Sequence, residues 1–224
     1  MSLHDNRFPG ETPAWRAARD ELLAAERDLR TRVEAVAALR RKMPMGVRLP
    51  TDYVFEGESG PVKLSELFAP GKDTLVLYNF MFGPKMKDAC PMCTSFLDGL
   101  NGNAHHLEQR VNLAVVARSP YARVKDFARG RGWKMRMLSS AENDFNRDFH
   151  GESADGAQNT IMHVFVKRAD GVHHFYSTEL NMTTAEQGQN DRHIDLMWSL
   201  WNVLDLTPDG RGADWYPKVS YAKT

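Results

Sequence analysis

The chain has 224 residues, and its 29 lysines and arginines balance 29 aspartates and glutamates, so the formal net charge is zero. A balanced chain has no global positive field to attract nucleic acid or anionic lipid, and we expect it to bind neither. The length suits one domain, or one domain with an appendage, and a chain of this size needs no disulfide scaffold.

The first residues, MSLHDNRFPGETPAW, contain no apolar segment typical of a signal peptide. No run in the sequence approaches the roughly 18 apolar residues that a membrane span requires. We therefore expect a cytoplasmic protein without a membrane partner.

A long amphipathic helix is predicted near the N-terminus. Thr12 followed by Pro13 is typical of a helix start. Apolar residues then recur at helical spacing as far as Met43, namely Leu22, Leu23, Leu29, Val33, Val36 and Leu39. Prolines and a glycine follow and end the helix. Residues 1–46 are therefore predicted to be a helical appendage that packs on the domain or on a second subunit, and we expect a homodimer.

The next segments predict a hairpin and then a βαβ unit. Residues 53–55 and 62–64 flank a Gly-Glu-Ser-Gly-Pro turn and are typical of a small β-hairpin. Thr74 to Phe82 is a continuous apolar run, as expected of a strand buried on both faces of a parallel sheet. A helical pattern from Pro91 to about Arg110 leads to a second apolar run, Val111 to Ala117. Such a strand–helix–strand unit is right-handed by the general rule.

The second half of the chain completes the fold. Its predicted elements are a helix at 121–131, a strand at 133–138, a short helix at 143–149, a polar loop at 151–159, a β-hairpin of 161–168 and 172–177, and a final helix from about 190 to 204. This order predicts an α/β fold of the thioredoxin-like three-layer α/β/α type, with a central mixed sheet. Residues 47–212 would form that domain and residues 213–224 a C-terminal tail.

The two cysteines, Cys90 and Cys93, lie in a Cys-Pro-Met-Cys motif at the predicted start of a helix. A disulfide that closes so small a loop stabilises a fold little, so their role is expected to be chemical. At the N-cap, unpaired N–H groups and the helix dipole favour a Cys90 thiolate. Pro91 suits the first helical position, and the three-residue spacing places Cys93 on the same face. The motif therefore predicts a redox-active dithiol, with Cys90 as nucleophile and Cys93 as resolving cysteine.

Other uses of a CxxC motif fit less well. Attachment of c-type haem needs a histidine directly after the second cysteine, where Thr94 stands. A structural zinc needs four ligands, and in a continuous helix His105 and His106 would lie about 18 Å from Cys93. Two small buried hydrophobes are a further alternative, which the position at a helix start disfavours. We therefore predict no metal and no other cofactor.

Other polar residues are weaker candidates. Arg118 follows the second buried strand, at the edge where α/β sheets build their sites. It would hold a thiolate, a peroxide or an acidic substrate there, or be a surface arginine. The hairpin histidines, His163, His173 and His174, are expected to be packed or solvated rather than catalytic, and Asp144 is expected to cap a helix.

The chain resembles a bacterial thioredoxin-like family catalogued as domain of unknown function 899, whose members are labelled predicted dithiol-disulfide isomerases. The resemblance rests on YNFMFGPKMKDACPMC from Tyr78 to Cys93, VVARSP around Arg118, VFVKRADGVHHFYST from Val164 to Thr178, and LDLTPDGR from Leu204 to Arg211. It covers nearly the whole chain and implies a thioredoxin-like fold with a dithiol activity.

Proteins of this fold usually place a cis-proline opposite the CxxC, just before the hairpin, where this chain has Asn159, Thr160 and Ile161. By that resemblance Thr160 and Ile161, together with Pro91 and Met92, are the expected substrate-binding positions. The early hairpin and the extra long N-terminal helix resemble peroxiredoxins. A peroxiredoxin, however, would show a Pro-x-x-x-Thr-x-x-Cys pattern that this sequence lacks.

The leading hypothesis is thus a dithiol-disulfide oxidoreductase or isomerase that acts on a protein or small-molecule thiol or disulfide. Three alternatives remain open from the residues. One is a peroxide reductase that uses the same cysteines, and another is a copper or zinc carrier with the thiols as ligands. The third is a redox-sensing interaction protein whose N-terminal helix mediates dimerisation.

Overall fold

A computed structural model of the chain describes residues 3–184, 187, 195–212 and 214–222. The chain divides into two compact units, Met1–Pro44 and Met45–Thr224. No helix in these described ranges is both long and apolar enough to cross a membrane.

The first unit is dominated by helix α1, Pro13–Lys42. Its N-cap is Thr12, whose Oγ1 accepts a hydrogen bond from the Trp15 N–H at 3.2 Å. The helix confirms the predicted element, and none of its side chains is buried. One apolar row recurs at seven-residue intervals and is exposed along its length, namely Trp15, Leu22, Leu29, Val36 and Met43.

The second unit is built on a mixed sheet. Its described strands are β1 (Val54–Gly57), β2 (Gly60–Lys63), β3 (Thr74–Phe80), β4 (Asn112–Ala117), β5 (Arg136–Ser139), β6 (Ile161–Arg168) and β7 (Gly171–Ser177). They lie in the order β2-β1-β5-β4-β3-β6-β7. Strands β3, β4 and β5 are parallel, and the others pair antiparallel to their neighbours. This is the predicted thioredoxin-like α/β arrangement, with both hairpins confirmed.

Helices cover the sheet unequally. One face packs against α2 (Pro91–Leu107), α3 (Tyr121–Arg131) and α5 (Ser199–Leu204). The other face packs against the single turn α4 (Phe145–Asp148) and a 3-10 turn, Leu64–Glu66. Because successive side chains of a strand alternate between faces, β3 sends Leu75 and Leu77 to the second face and Tyr78 and Phe80 to the first. This double burial explains the continuous apolar run in the sequence.

Several boundaries differ from the prediction. Strand β3 ends at Phe80 rather than Phe82, because the Phe82 N–H turns back to the Phe80 carbonyl at 2.7 Å. Strand β5 begins only at Arg136. Of the predicted final helix, residues 190–194 lie outside the described residues. The described part is a 3-10 turn, Asp195–Met197, and then α5, because the extended backbone of Trp198 interrupts the helix.

Candidate dithiol site

The cysteines lie where β3 leads into α2. The Cys90 N–H donates to the Met81 carbonyl at 3.1 Å, which ties the start of the helix to the end of the strand. Cys90 is the N-cap of α2 and Pro91 is its first residue. The backbone N–H and the hydroxyl of Thr94 both donate to the Cys90 carbonyl, at 2.9 and 2.8 Å. The first turn of α2 therefore holds Cys90 in a defined place, as the motif predicts.

The two thiols differ in exposure. Cys90 is half-buried, whereas Cys93 is 1% exposed, and both are free. The expectation that a helix start keeps both cysteines from burial is therefore wrong for Cys93. Three residues into α2, Cys93 faces the sheet and joins the core on the side of Tyr78 and Phe96. An accessible thiol thus lies beside a covered one.

The surroundings separate the acidities of the two thiols. Hydrogen bonding from the Cys93 thiol lowers the pKa of Cys90 to about 6, and the N–H groups of Cys93 and Met92 add to this against the opposing effect of burial. Burial raises the pKa of Cys93 well above its usual range, and its hydrogen bond to Cys90 and the Cys90 charge raise it further. At neutral pH the pair therefore holds a Cys90 thiolate and a Cys93 thiol.

Two hydroxyl groups lie against Cys93. Tyr78 of β3 and Thr160, which directly precedes β6, both hydrogen-bond the Cys93 thiol. The Thr160 hydroxyl also donates to the Tyr78 hydroxyl at 2.6 Å. Tyr78 is fully buried, and its ring lies 4.9 Å from that of Phe96. Burial, and next the Cys93 charge, raise the pKa of Tyr78 well above its usual range, so the phenol stays protonated.

The structure therefore brings Thr160 to the cysteines, as the resemblance implies, without a cis peptide bond among the described residues. Pro91 is exposed and Met92 half-buried beside them, whereas Ile161 is 1% exposed and opens β6. Tyr78 is a site residue that sequence reasoning missed. The sequence did contain a sign of this role, namely a phenol hydroxyl inside the apolar run TLVLYNFMF. A buried phenol usually needs a hydrogen-bond partner.

Arg118 has other partners. It follows β4 as predicted, and its Nε donates to Oε2 of Glu152 at 2.8 Å. Its Nη1 donates to the carbonyls of Ser140 and Ala141. None of the hydrogen bonds described for Arg118 reaches either thiol. Its charge is therefore compensated by Glu152, and its visible role is to join β4 to the segments that follow β5 and α4.

Arg123 of α3 holds the loop that leads to the motif, and sequence reasoning missed it. Its guanidinium donates to the carbonyls of Gly83 at 3.2 Å and Lys87 at 2.7 Å, and also to that of Met86. It lies 4.2 Å over the ring of Phe82. No local pattern marks such a residue, since its targets are backbone carbonyls on a distant segment.

The polar loop at 151–159 is held by a buried amide network. Nδ2 of Asn79 donates to the carbonyls of Asn159 at 2.5 Å and Gly151 at 3.3 Å. Oδ1 of Asn79 accepts from Nδ2 of Asn146 at 2.7 Å. Because Asn79 and Asn146 are buried and fully engaged, the network fixes both ends of the loop and thereby places Thr160.

The histidines that the structure describes do not gather at the thiols. Helix α2 is continuous through Gly99 and Gly102, so the break that would bring His105 and His106 back to Cys93 is not present. In the described part of the chain, no three side chains among His, Cys, Asp and Glu converge as potential metal ligands. Asp144 occupies the N-cap of α4 but makes no side-chain capping bond.

Solved structures with a similar fold include peroxidoxin BcpB from Mycobacterium tuberculosis, with 17% identity, a TM-score of 0.47, and coverage of 72% of this chain and 98% of that chain. A mutant of peroxiredoxin Q from Xanthomonas campestris has 12% identity, a TM-score of 0.48, and coverage of 72% and 96%. A hypothetical protein from Sinorhizobium meliloti has 17% identity, a TM-score of 0.44, and coverage of 79% and 91%.

A search of curated proteins found no match. The family described as "Bacterial protein of unknown function (DUF899)" matches residues 6–223. The chain therefore belongs to this family, in agreement with the resemblance carried by its motifs.

Proposed function

We propose that the protein is a thiol-disulfide oxidoreductase in which Cys90 attacks and Cys93 resolves. The observation that carries this proposal is the half-buried Cys90 at the N-terminus of α2, which receives hydrogen bonds from both the N–H and the thiol of Cys93. Such donors favour a thiolate at neutral pH, and the thiolate is the nucleophilic form of cysteine.

The reaction follows from this asymmetry. The Cys90 thiolate attacks a substrate disulfide, forms a mixed disulfide and releases one substrate thiolate, which takes a proton from solvent. Cys93 then attacks Cys90 and releases the second substrate thiol, which leaves an intramolecular disulfide on the protein. Because Cys93 is covered by the core, it reacts within the protein rather than with bulk solutes.

The substrate class is a disulfide or thiol on a protein or a small molecule. Pro91 is exposed next to Cys90, and Met92 is half-buried beside it. These side chains offer an apolar contact surface at the thiol. Thr160 lies on the other side of the two cysteines and hydrogen-bonds Cys93.

The test is a redox titration with glutathione or dithiothreitol, in which mass spectrometry counts the free thiols. We expect a reversible two-electron transition between roughly −120 and −270 mV. Cys90→Ser should abolish thiol exchange, and Cys93→Ser should accumulate mixed disulfides. Absence of an intramolecular disulfide, or turnover retained in both variants, would contradict the mechanism.

A peroxide reductase is the second candidate, since a thiolate beside a resolving thiol also suits peroxide chemistry. Cys90 would be oxidised to a sulfenic acid while the peroxide is reduced to water or an alcohol. The Cys93 sulfur would then attack the Cys90 sulfur, release the sulfenic hydroxyl as water with the Cys93 proton, and form the same disulfide. Peroxide consumption coupled to an excess of dithiol, measured beside disulfide exchange, separates the two activities.

A further inference from the structure

When Cys93 attacks the mixed disulfide at Cys90, negative charge develops on the Cys93 sulfur, although the surroundings of this sulfur disfavour charge. Cys93 is 1% exposed, and its burial disfavours the thiolate. In the reduced protein its proton is directed to Cys90. Once Cys90 is bound in a mixed disulfide, that acceptor is no longer charged. Charge that develops on Cys93 during attack must then be stabilised by other groups.

The groups that act on the Cys93 sulfur come from three elements. Within the described chain they are Cys90 at the start of α2, Tyr78 of β3, and Thr160 at the entrance to β6. Of these, Cys90 and Tyr78 are titratable. Among the described residues, no carboxylate, ammonium or guanidinium belongs to the groups that shift the acidity of this thiol. Neutral hydroxyl donors are therefore the available stabilisers.

The two hydroxyls are held rigidly. Strands β3 and β6 pair with Tyr78 opposite Met162 and Asn79 opposite Ile161, which sets Thr160 beside the end of β3. The Thr160 hydroxyl donates to the Tyr78 hydroxyl at 2.6 Å. The Tyr78 hydroxyl also hydrogen-bonds the Cys93 sulfur. The aromatic packing of Tyr78 on Phe96, one helical turn beyond Cys93, fixes the phenol against the thiol.

We propose that Tyr78 and Thr160 form a catalytic hydroxyl pair that stabilises the Cys93 thiolate during resolution. The inference rests on the proposed dithiol function and adds two residues from outside the motif. Thr160 donates to the Tyr78 hydroxyl and polarises it, and the Tyr78 hydroxyl donates to the sulfur as its charge develops.

The step is balanced without a further reactant. The Cys93 sulfur attacks Cys90, a bond forms between the two cysteine sulfurs, and the bond from Cys90 to the substrate sulfur breaks. The bonding electron pair goes to the substrate sulfur, which leaves as a thiol after taking the proton that Cys93 released. The hydroxyl pair keeps its own protons throughout. In the reverse direction the same donors stabilise Cys93 as the leaving thiolate.

A chromogenic aromatic disulfide, dithiobis(nitrobenzoate), separates the two steps on the full-length reduced protein. Attack by Cys90 releases the first nitrothiobenzoate, and attack by Cys93 releases the second. In stopped-flow measurements Tyr78→Phe should slow the second phase by about 10- to 100-fold, as expected for loss of a hydrogen bond to a charged group. The pH midpoint of this phase should rise, and the rate of the first phase should change by less than about threefold.

Thr160→Val removes the second hydroxyl at nearly constant volume and should also slow the second phase. Tyr53→Phe is the matched control, because Tyr53 donates its hydroxyl to Asp148 on the opposite face of the sheet. Both phases should be unchanged in that variant. A second phase in Tyr78→Phe and Thr160→Val with wild-type rate and pH midpoint would overturn the hydroxyl pair. Absence of the second phase from the wild-type protein would instead contradict the proposed function.

Discussion

The Cys93 backbone N–H lies 3.4 Å from the Cys90 sulfur and donates to it, and the Cys93 thiol donates to the same atom. Cys93→Ala removes only the thiol donor and should raise the pKa of Cys90 from about 6 toward its usual range. Because only the thiolate is alkylated, the wild type should react fully above pH 6 and lose reactivity below it. The variant should lose reactivity at a higher pH. An iodoacetamide rate profile measures both midpoints.

Cys90→Ala is the companion variant in this alkylation assay. Its remaining thiol, Cys93, is buried and has a raised pKa, so it should resist alkylation at neutral pH. Equal midpoints in wild type and Cys93→Ala would show that the thiol bond does not determine the acidity of Cys90.

Arg123→Gln should loosen the loop before the motif. The variant loses the guanidinium bonds to the carbonyls of Gly83 and Lys87, at an expected cost of about 1–3 kcal/mol in the free energy of unfolding. Limited trypsin digestion should cut faster at Lys85 and Lys87. The control is Arg129→Gln on the same helix, since that side chain is 74% exposed and pairs only with Asp126 among the described residues. Identical digestion of the two variants would disprove the role of Arg123.

Asn79→Ala should destabilise the protein strongly. The change leaves the Asn159 carbonyl and the Asn146 amide without their Asn79 partner, while the Gly151 carbonyl keeps only the bond from the Asn159 N–H. We expect a loss of about 3 kcal/mol or more in the free energy of unfolding, measured by urea denaturation.

Gly151→Ala tests the same network from the loop, because its Cβ would lie 2.6 Å from Nδ2 of Asn79. It should also destabilise the fold. Gly102→Ala is the control, since no other described part of the chain beyond its own helical turn lies within 4 Å of the added Cβ. An alanine within a helix should stabilise the protein by up to about 1 kcal/mol. If Gly151→Ala and Gly102→Ala shift stability alike, the packing against Asn79 is unimportant.

His163 should make the protein less stable in acid. Its ring is 1% exposed, and burial, followed by the charges of His174 and His150, lowers its pKa to about 3. In the unfolded chain the pKa is about 6.5, so as pH falls below 6.5 the unfolded state binds a proton that the folded state does not. This contribution to stability is complete above pH 6.5, and about 2 kcal/mol is lost between pH 7 and pH 5.

The measurement is the slope of unfolding free energy against pH between 6.5 and 5. His163→Asn should flatten this slope, whatever its effect on stability at pH 7. His105→Asn changes an exposed histidine of α2 and should leave the slope as it is in the wild type. An unaltered slope in His163→Asn would rule out His163 as the source of the acid sensitivity.

The exposed row on α1 suits a second copy of the chain. Apolar residues at strict seven-residue spacing are typical of helices that pack as a left-handed coiled coil, and a two-fold dimer is the commonest self-association. We propose such a dimer, which Leu22→Glu combined with Leu29→Glu should convert to a monomer in analytical ultracentrifugation. Arg27→Glu, which lies off this row, should remain dimeric. A monomeric wild type would refute the proposal.

The local sequence pattern was sufficient to predict most helices and strands of the fold. The continuous apolar run of β3 and the capping residues of α1 each follow from neighbouring residues. So does the place of Cys90, because an N-cap followed by proline is defined within one helical turn. The final helix was overestimated, since its periodicity gave no sign of the extended backbone at Trp198.

The sequence by itself determined the order of the elements and the place of both cysteines in the first turn of a helix. These features depend on residues a few positions apart. Only the tertiary structure decided what surrounds the sulfurs. Tyr78 and Thr160 are 82 positions apart and meet because β3 pairs with β6 in one register. Arg123 reaches the loop from another helix, and Cys93 is buried because α2 turns it toward the sheet. Contacts of this kind arise from strand register and helix packing, which no local pattern encodes.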